Sequence, residues 1–323
     1  MLQKILLPIC LLIGLSVSAQ QPVDSAFHKL DSLSKKTDSA GFQKNNINPQ
    51  AYNDITILGP KDYFILLGSN IKQGFTKPFH MTGRDWGTLA KFAVVAGATG
   101  LADEPIQRGV LKLRENSSAV RNTGKYISQF GGLYELYGLA GLGTYAFIVK
   151  NDKLKTTTLL ASQAYITGGL LESVLKTISG RTRPNYYATY AEAEPKFYGP
   201  FKNTSRDALG NRTNSSFPSG HTTVAFAAAT VFAREYADRP LVPIIAYSAA
   251  TLIGVSRITE NKHWTSDVLV GAALGYLTGK QVVNNYHRFA HLKNEASKKH
   301  NTMSFDLHEH FGKMMPTMVY HFG

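Results

Sequence analysis

The chain has one cysteine in 323 residues, Cys10, and it interrupts an N-terminal apolar run. Beyond that run, disulfide staples and thiol catalysis are excluded. A lipid-anchored reading of Cys10 is poor as well, because such a cysteine follows its apolar run. Acidic residues are few: 22 Asp and Glu stand against 35 Lys and Arg, for a net charge of +13. That balance points to anionic partners, either phosphate-bearing substrates or acidic lipid head groups. Long apolar runs are missing too. Beyond residue 19, the longest windows free of charge and histidine are 17 residues (Pro240–Ser256), 16 (Thr156–Leu171) and 14 (Leu136–Val149). A membrane span needs about 20 predominantly apolar residues. Hydropathy alone therefore leaves a soluble helical core and a shallowly embedded bundle equally open. The chain also lacks a Gly-x-Ser-x-Gly elbow, which argues against a serine hydrolase built on Ser219 and His221.

Four regions are present. Residues 1–19 read as a signal peptide: Lys4 is the positive head, Ile5 to Val17 form a short apolar run, and Val17-Ser18-Ala19 is a small-residue cleavage site. A transmembrane anchor competes, but the run is short for one. Residues 20–60 form a polar leader without sustained period. Residues 61–285 carry apolar, Ala/Gly-rich stretches with few β-branched alternations, which predicts an all-α bundle of about six core helices. The candidate helices are 86–101, 124–149, 155–178, 220–236, 241–257 and 265–285, with shorter pieces near 61–74 and 104–115. Residues 286–323 are a basic tail whose end is either strand-like or frayed. Export and the scatter of the cations argue against nucleic acid as a partner. Gly271-x3-Gly275-x3-Gly279 lets another helix approach closely.

Three separated segments carry the chemistry: Lys176 to Arg183-Pro184, Pro218-Ser219-Gly220-His221, and Ser256-Arg257 through His263 to Asp267. Placed on the expected helices, they sit at the end of one helix, the start of the next, the end of a third and the start of a fourth. If those helices alternate in direction, every motif falls at one end of the bundle, so the active site is assembled from helix termini.

The residue types suit phosphoryl transfer, in which positioning and charge stabilisation dominate. Lys176, Arg183 and Arg257 supply cations, and arginine forks can bind two oxygens at once. Ser219 offers a hydroxyl, Gly220 lets the backbone approach a phosphate, and a helix N-terminus adds partial positive charge. His263 and Asp267 are four apart and stack on one helix face. Asp267 can then accept from one ring nitrogen and leave the other free to attack phosphorus. His221 can protonate the departing oxygen. No metal or other cofactor is required, since the cations do the neutralising. Each piece alone has a plainer reading. Lys-x6-Arg-Pro is a charged helix end, Pro-Ser-Gly-His is a turn with a serine N-cap, and His263 with Asp267 is a surface pair or part of a zinc site needing further ligands.

Together the segments resemble the signature of the type 2 phosphatidic acid phosphatase superfamily, which also holds class A acid phosphatases and vanadium-dependent haloperoxidases. That signature is Lys-x6-Arg-Pro, Pro-Ser-Gly-His, and Ser-Arg-x5-His-x3-Asp; this sequence matches each fixed position across about residues 120–285. The resemblance implies a helical bundle and metal-free dephosphorylation. It carries His263 over as nucleophile, His221 as acid and Asp267 as orienter, with Lys176, Arg183, Ser219, Gly220 and Arg257 binding phosphate. The expected function is a phosphatase acting on a lipid-linked phosphate such as phosphatidate, an isoprenyl diphosphate or lipid A, at a membrane and facing the periplasm. The alternatives are a soluble periplasmic acid phosphatase, a haloperoxidase with vanadate on His263, and a non-catalytic phosphate or lipid binder. The aromatic segment 185–217, with Tyr186, Tyr187, Phe197, Tyr198 and Phe201, is the expected seat of substrate selectivity.

Overall fold

The computed structural model describes residues 54–189, 191–201, 213–299, 302–310 and 313–321. The expected signal and all of the leader before residue 54 lie outside the described residues. Nine α-helices follow among the described residues: α1 (Pro60–Thr76), α2 (Gly83–Leu101), α3 (Asp103–Asn116), α4 (Ser118–Gln129), α5 (Leu133–Ile148), α6 (Asp152–Ser179), α7 (Gly220–Glu235), α8 (Leu241–Thr259) and α9 (Thr265–Lys299). The domain is all-α, as the patterning predicts. After it, β1 (Thr302–His310) and β2 (Lys313–His321) pair as an antiparallel hairpin.

Local chemistry sets several of the boundaries. Asn151 caps α6 by accepting from Leu154 N at 3.0 Å, and Ser117 caps α4 from Val120 N. Gly180 ends α6 in the left-handed conformation at φ 54°, where an added Cβ would lie 2.2 Å from Gly199 O. Two expectations need correction. The stretch 124–149 is not one helix: α4 stops at Gln129 and α5 starts at Leu133, with Gly132 at φ 72° between them. The last helix runs to Lys299, well past residue 285.

α7 is the central element, packed against α6, α8 and α9. Its sequence is mostly Ala, Thr, Val and Gly, and it is buried around most of its circumference, as expected of a helix without a charged face. α9 approaches it on the glycine stripe. A Cβ added at Gly271, Gly275 or Gly279 would lie 2.7, 2.2 or 2.5 Å from the carbonyl oxygens of Ser219, Thr223 or Ala227. Backbone cannot yield at such distances, so glycine is what allows the two helices to meet. Leu160, Ala164, Ala227, Val231, Val282 and Tyr286 then close the main core between α6, α7 and α9. Each fully buried large apolar side chain there contributes about 1.5–3 kcal/mol. α1 docks on this core through buried amides: Asn70 donates to Gln163 at 2.9 Å, and Gln73 donates to Asn285 at 3.1 Å. The consequence for function is register. The α7–α9 contact places the start of α7 beside the start of α9, and Ser219 N donates to Asp267 O at 3.0 Å.

Candidate active site

The three motif segments converge at one end of the bundle, where α6 and α8 end and α7 and α9 begin. Lys176, in the last turn of α6, is paired with Glu172 at 3.0 Å. Gly220 lies directly against this pair: an added Cβ would be 2.1 Å from Glu172 Oε1 and 3.1 Å from Lys176 Nζ. Arg183 follows the α6 C-cap and is steadied by Ser215, with Nε to Oγ and Nη2 to the carbonyl both at 3.3 Å. Arg257, in the last turn of α8, donates to Ser128 Oγ from α4. Its Nε is buried with no hydrogen-bond partner among the described residues, an uncommon state for a donor unless a ligand completes it. Ser219 occupies the N-cap position of α7 but makes no side-chain capping bond there. The plain N-cap reading therefore fails, and its hydroxyl accepts from Thr222 Oγ1 at 2.9 Å. The first N–H groups of α7 have no carbonyl above them in the helix and lie beside the cations.

Gly220 gives a direct test of this packing. Gly220→Ala must displace the flexible end of Glu172 rather than backbone, and with it the Lys176 ammonium. The expected outcome is a folded protein with a melting temperature close to wild type and a KM raised about tenfold, the loss of roughly one charged hydrogen bond.

The two histidines sit in different surroundings. His263 lies in the turn between α8 and α9 and is 1% exposed. Its Nδ1 is 2.7 Å from the Ser216 carbonyl oxygen, whereas Asp267 Oδ2 is 3.7 Å away. This corrects the expectation that Asp267 takes the ring proton directly. A carbonyl only accepts, so Nδ1 carries the hydrogen and the Nε2 lone pair is left free. Burial above all, then Arg183, Arg257, Lys176 and His221, hold this ring well below the ordinary histidine pKa. Asp267 is instead fully engaged elsewhere. It accepts from Arg181 Nη1, from Ser216 Oγ at 2.5 Å and from Trp264 N at 2.9 Å.

His221, the second residue of α7, packs on the Gly131-Gly132 turn between α4 and α5. Added Cβ atoms there would lie 2.6 Å from its Cδ2 and 3.3 Å from its Nε2. This explains the two glycines at the break: the ring occupies the space that side chains at 131 and 132 would fill. Burial first, then Arg257, Lys176 and Arg183, lower the His221 pKa to about 3.

All eight expected residues thus meet in one place. The sequence reading missed Ser216, Arg181, Glu172, Ser128 and the Gly131-Gly132 wall. The glycine pair was the available signal, since two adjacent glycines inside a helical pattern mark a break or a close approach. In the segment 185–217, Tyr187 OH donates to Glu194 O at 2.9 Å, and Phe197 stacks over Arg181 at 4.8 Å. Tyr186 and Phe201 are exposed.

Residues 157–290 match the family model of the PAP2 superfamily. The lipid A 1-phosphatase of Porphyromonas gingivalis is 52% identical over 67 residues, which is 20% of this chain and 15% of that protein. The lipid A 1-phosphatase of Rhizobium etli is 27% identical over 173 residues, 50% of this chain and 69% of that protein. A crystal structure of a transmembrane PAP2 type phosphatidylglycerolphosphate phosphatase from Bacillus subtilis is similar with a TM-score of 0.44 at 22% identity, covering 64% of this chain and 94% of that one. The stretch shared with the first relative is thus a small part of its length. All eight motif residues, from Lys176 to Asp267, lie within the matched region. The segment 157–290, which carries the whole cluster, is thus the part of the chain that is similar to the PAP2 superfamily.

Proposed function

We propose that this protein is a metal-independent phosphatase that hydrolyses a lipid-linked phosphomonoester or pyrophosphate through a phosphohistidine on His263. The observation that carries the reading is the state of His263: a neutral ring, held by its Nδ1–H on the Ser216 carbonyl, under the influence of three cations. Lys176, Arg183 and Arg257 bind and neutralise the phosphoryl oxygens, with the α7 N-terminus as a further anion site. Nε2 of His263 attacks phosphorus as the bond to the leaving oxygen breaks, and His221 gives that oxygen a proton. His221 then takes a proton from water, which attacks phosphorus, releases inorganic phosphate and restores His263.

The names of the relatives support a lipid carrier of the phosphate, with lipid A, phosphatidate and isoprenyl diphosphates as the substrates to try first. We place the protein at a membrane, with α8 as the crossing segment. Among the described residues α8 is the one helix long and apolar enough: 19 residues, mean hydropathy 1.6, and 28% of its apolar window buried. Leu241, Ile244, Ile245, Leu252 and Val255 are exposed on it. The signal-like residues 1–19 support export, with the site facing the periplasm.

The test is phosphate release from an aryl phosphate, phosphatidate and lipid A, with and without EDTA and vanadate. Turnover of a lipid phosphate that survives EDTA and falls with vanadate is expected. Loss on chelation sinks the metal-independent mechanism; turnover of the aryl phosphate alone favours a broad-specificity acid phosphatase. Alkaline extraction of membranes should leave the protein in the pellet, and release into the supernatant would remove the membrane assignment.

A further inference from the structure

Arg181 and Asp103 belong to no part of the three-segment signature, yet both are buried against it. Asp103 opens α3 and is 0% exposed; Arg181 lies just past the α6 C-cap with its side chain 3% exposed. Arg181 Nη2 donates to Asp103 Oδ2 at 2.7 Å, and its Nη1 donates to Asp267 Oδ1 and to Ser266 Oγ. Asp103 also accepts from Ser266 through both N (2.9 Å) and Oγ (2.5 Å). One guanidinium therefore bridges two buried carboxylates, and it lies within 6.0 Å of the Phe197, Trp264 and Phe217 rings. Burying three charges is costly unless each is paired and hydrogen-bonded. Here the pairing runs straight to the nucleophile. Asp267 accepts from Ser216 Oγ, and the carbonyl of that same Ser216 accepts from His263 Nδ1.

We infer that Asp103 and Arg181 are positioning residues that fix the tautomer and placement of His263 by way of Asp267 and Ser216. The arrangement makes α3, which lies outside the PAP2-matched stretch, a working part of the site. It also accounts for the 3.7 Å gap between Asp267 and His263: Asp267 has spent its oxygens on Arg181, Ser216 and the Trp264 N–H. Asp267 works on the histidine through the chain segment that carries Ser216. The inference rests on the phosphatase reading above.

The charged groups facing Asp267 are Arg181 from the segment after α6 and His263 from the turn before α9. Lys176 from α6 bears on it electrostatically, and Asp103 from α3 lies across the guanidinium. Removing the guanidinium takes away the nearest cation, so the carboxylate is expected to hold a proton at higher pH than in the wild type. Once protonated, Asp267 no longer accepts fully from Ser216, and the support for His263 loosens.

The experiment measures kcat and KM for an aryl phosphate across pH 4–9 with Arg181→Gln, Arg181→Lys and Asp103→Asn in the full chain. Residues that orient a reacting group through another residue are typically worth about 10–100-fold. Arg181→Gln should lower kcat by about that factor at pH 5 with KM changed less than about threefold. Its kcat should recover as pH rises, an inflection that the wild type lacks. Arg181→Lys, which keeps the charge but not the fork, should restore the wild-type profile shape with part of the rate; Asp103→Asn, which removes an anion and leaves Asp267 its cation, should lower kcat by less and add no inflection. A merely structural role would lower all pH points of Arg181→Gln in parallel, and that outcome overturns the inference, as does an unchanged kcat. If Arg181→Gln does not fold, Arg181→Lys carries the test: a fall in kcat with KM nearly unchanged supports the inference, and an unchanged kcat overturns it. A wild-type chain that releases no phosphate would overturn the phosphatase reading; wild-type turnover with a parallel or unchanged Arg181→Gln profile would overturn this inference alone.

Discussion

His263→Ala will abolish steady-state phosphate release, with a loss on the order of 10⁴-fold or more, the scale seen when a covalent nucleophile is removed. The cations remain in that variant, so phosphate or vanadate should still bind within about a factor of ten. The split between lost turnover and retained binding separates a nucleophile from a structural histidine. Rapid acid-free quenching of the wild type with labelled substrate should trap a phosphoryl group that is stable to alkali and labile to acid, as expected of a phosphoramidate, and His263→Ala should trap none. Retained turnover in the variant would end the covalent mechanism. The pH dependence follows from the same surroundings. Burial and the adjoining cations hold His263 well below the ordinary histidine pKa, so its attacking form is already present at pH 7 and persists as pH falls. The kcat/KM profile should therefore show no acid limb near pH 6.5 belonging to His263. A limb there that disappears in an otherwise active His263 variant would contradict the assignment.

His221→Ala should have the second largest effect, and its size should depend on the leaving group. General acid catalysis is worth about 10²–10⁴-fold when the leaving oxygen is basic, as in an alkyl or lipid phosphate. An activated aryl phosphate needs no such proton. On that substrate the variant should release one enzyme equivalent of aryl alcohol in a burst and then stall, because water attack on the phosphohistidine also lacks its base. Equal losses on both substrates without a burst would remove His221 from the acid role. A second consequence concerns the empty site. With its pKa near 3, caused first by burial and then by Arg257, Lys176 and Arg183, His221 is neutral at working pH before substrate arrives. An incoming phosphate supplies negative charge beside it, which raises the proton affinity of the ring. Phosphate binding should therefore take up about one proton and weaken as pH rises. Calorimetry in buffers of different ionisation enthalpy measures this, and binding without proton uptake would mean that the proton comes from elsewhere.

The sequence alone singled out the residues that meet at the candidate site. Lys176, Arg183, Ser219, Gly220, His221, Arg257, His263 and Asp267 are legible because their types and spacings suit a phosphate and fall at expected helix ends, and both are local properties. The glycine stripe of α9 was legible for the same reason, since only glycine meets the distances found at Gly271, Gly275 and Gly279. The break at Gly131-Gly132 is hidden from periodicity, because an apolar period continues on both sides of it. What requires glycine there is the ring of His221, some 90 residues away in the chain. The i,i+4 rule put Asp267 beside His263, and it could not tell contact from a hydrogen bond. Only the tertiary structure decided that the Ser216 carbonyl takes the ring proton, while Asp267 turns to Arg181 and, beyond it, Asp103. No sequence period links residues 103, 181, 216 and 267. Their meeting is decided by how α3, α6 and α9 pack, and a buried charge must find its partner wherever that packing places one.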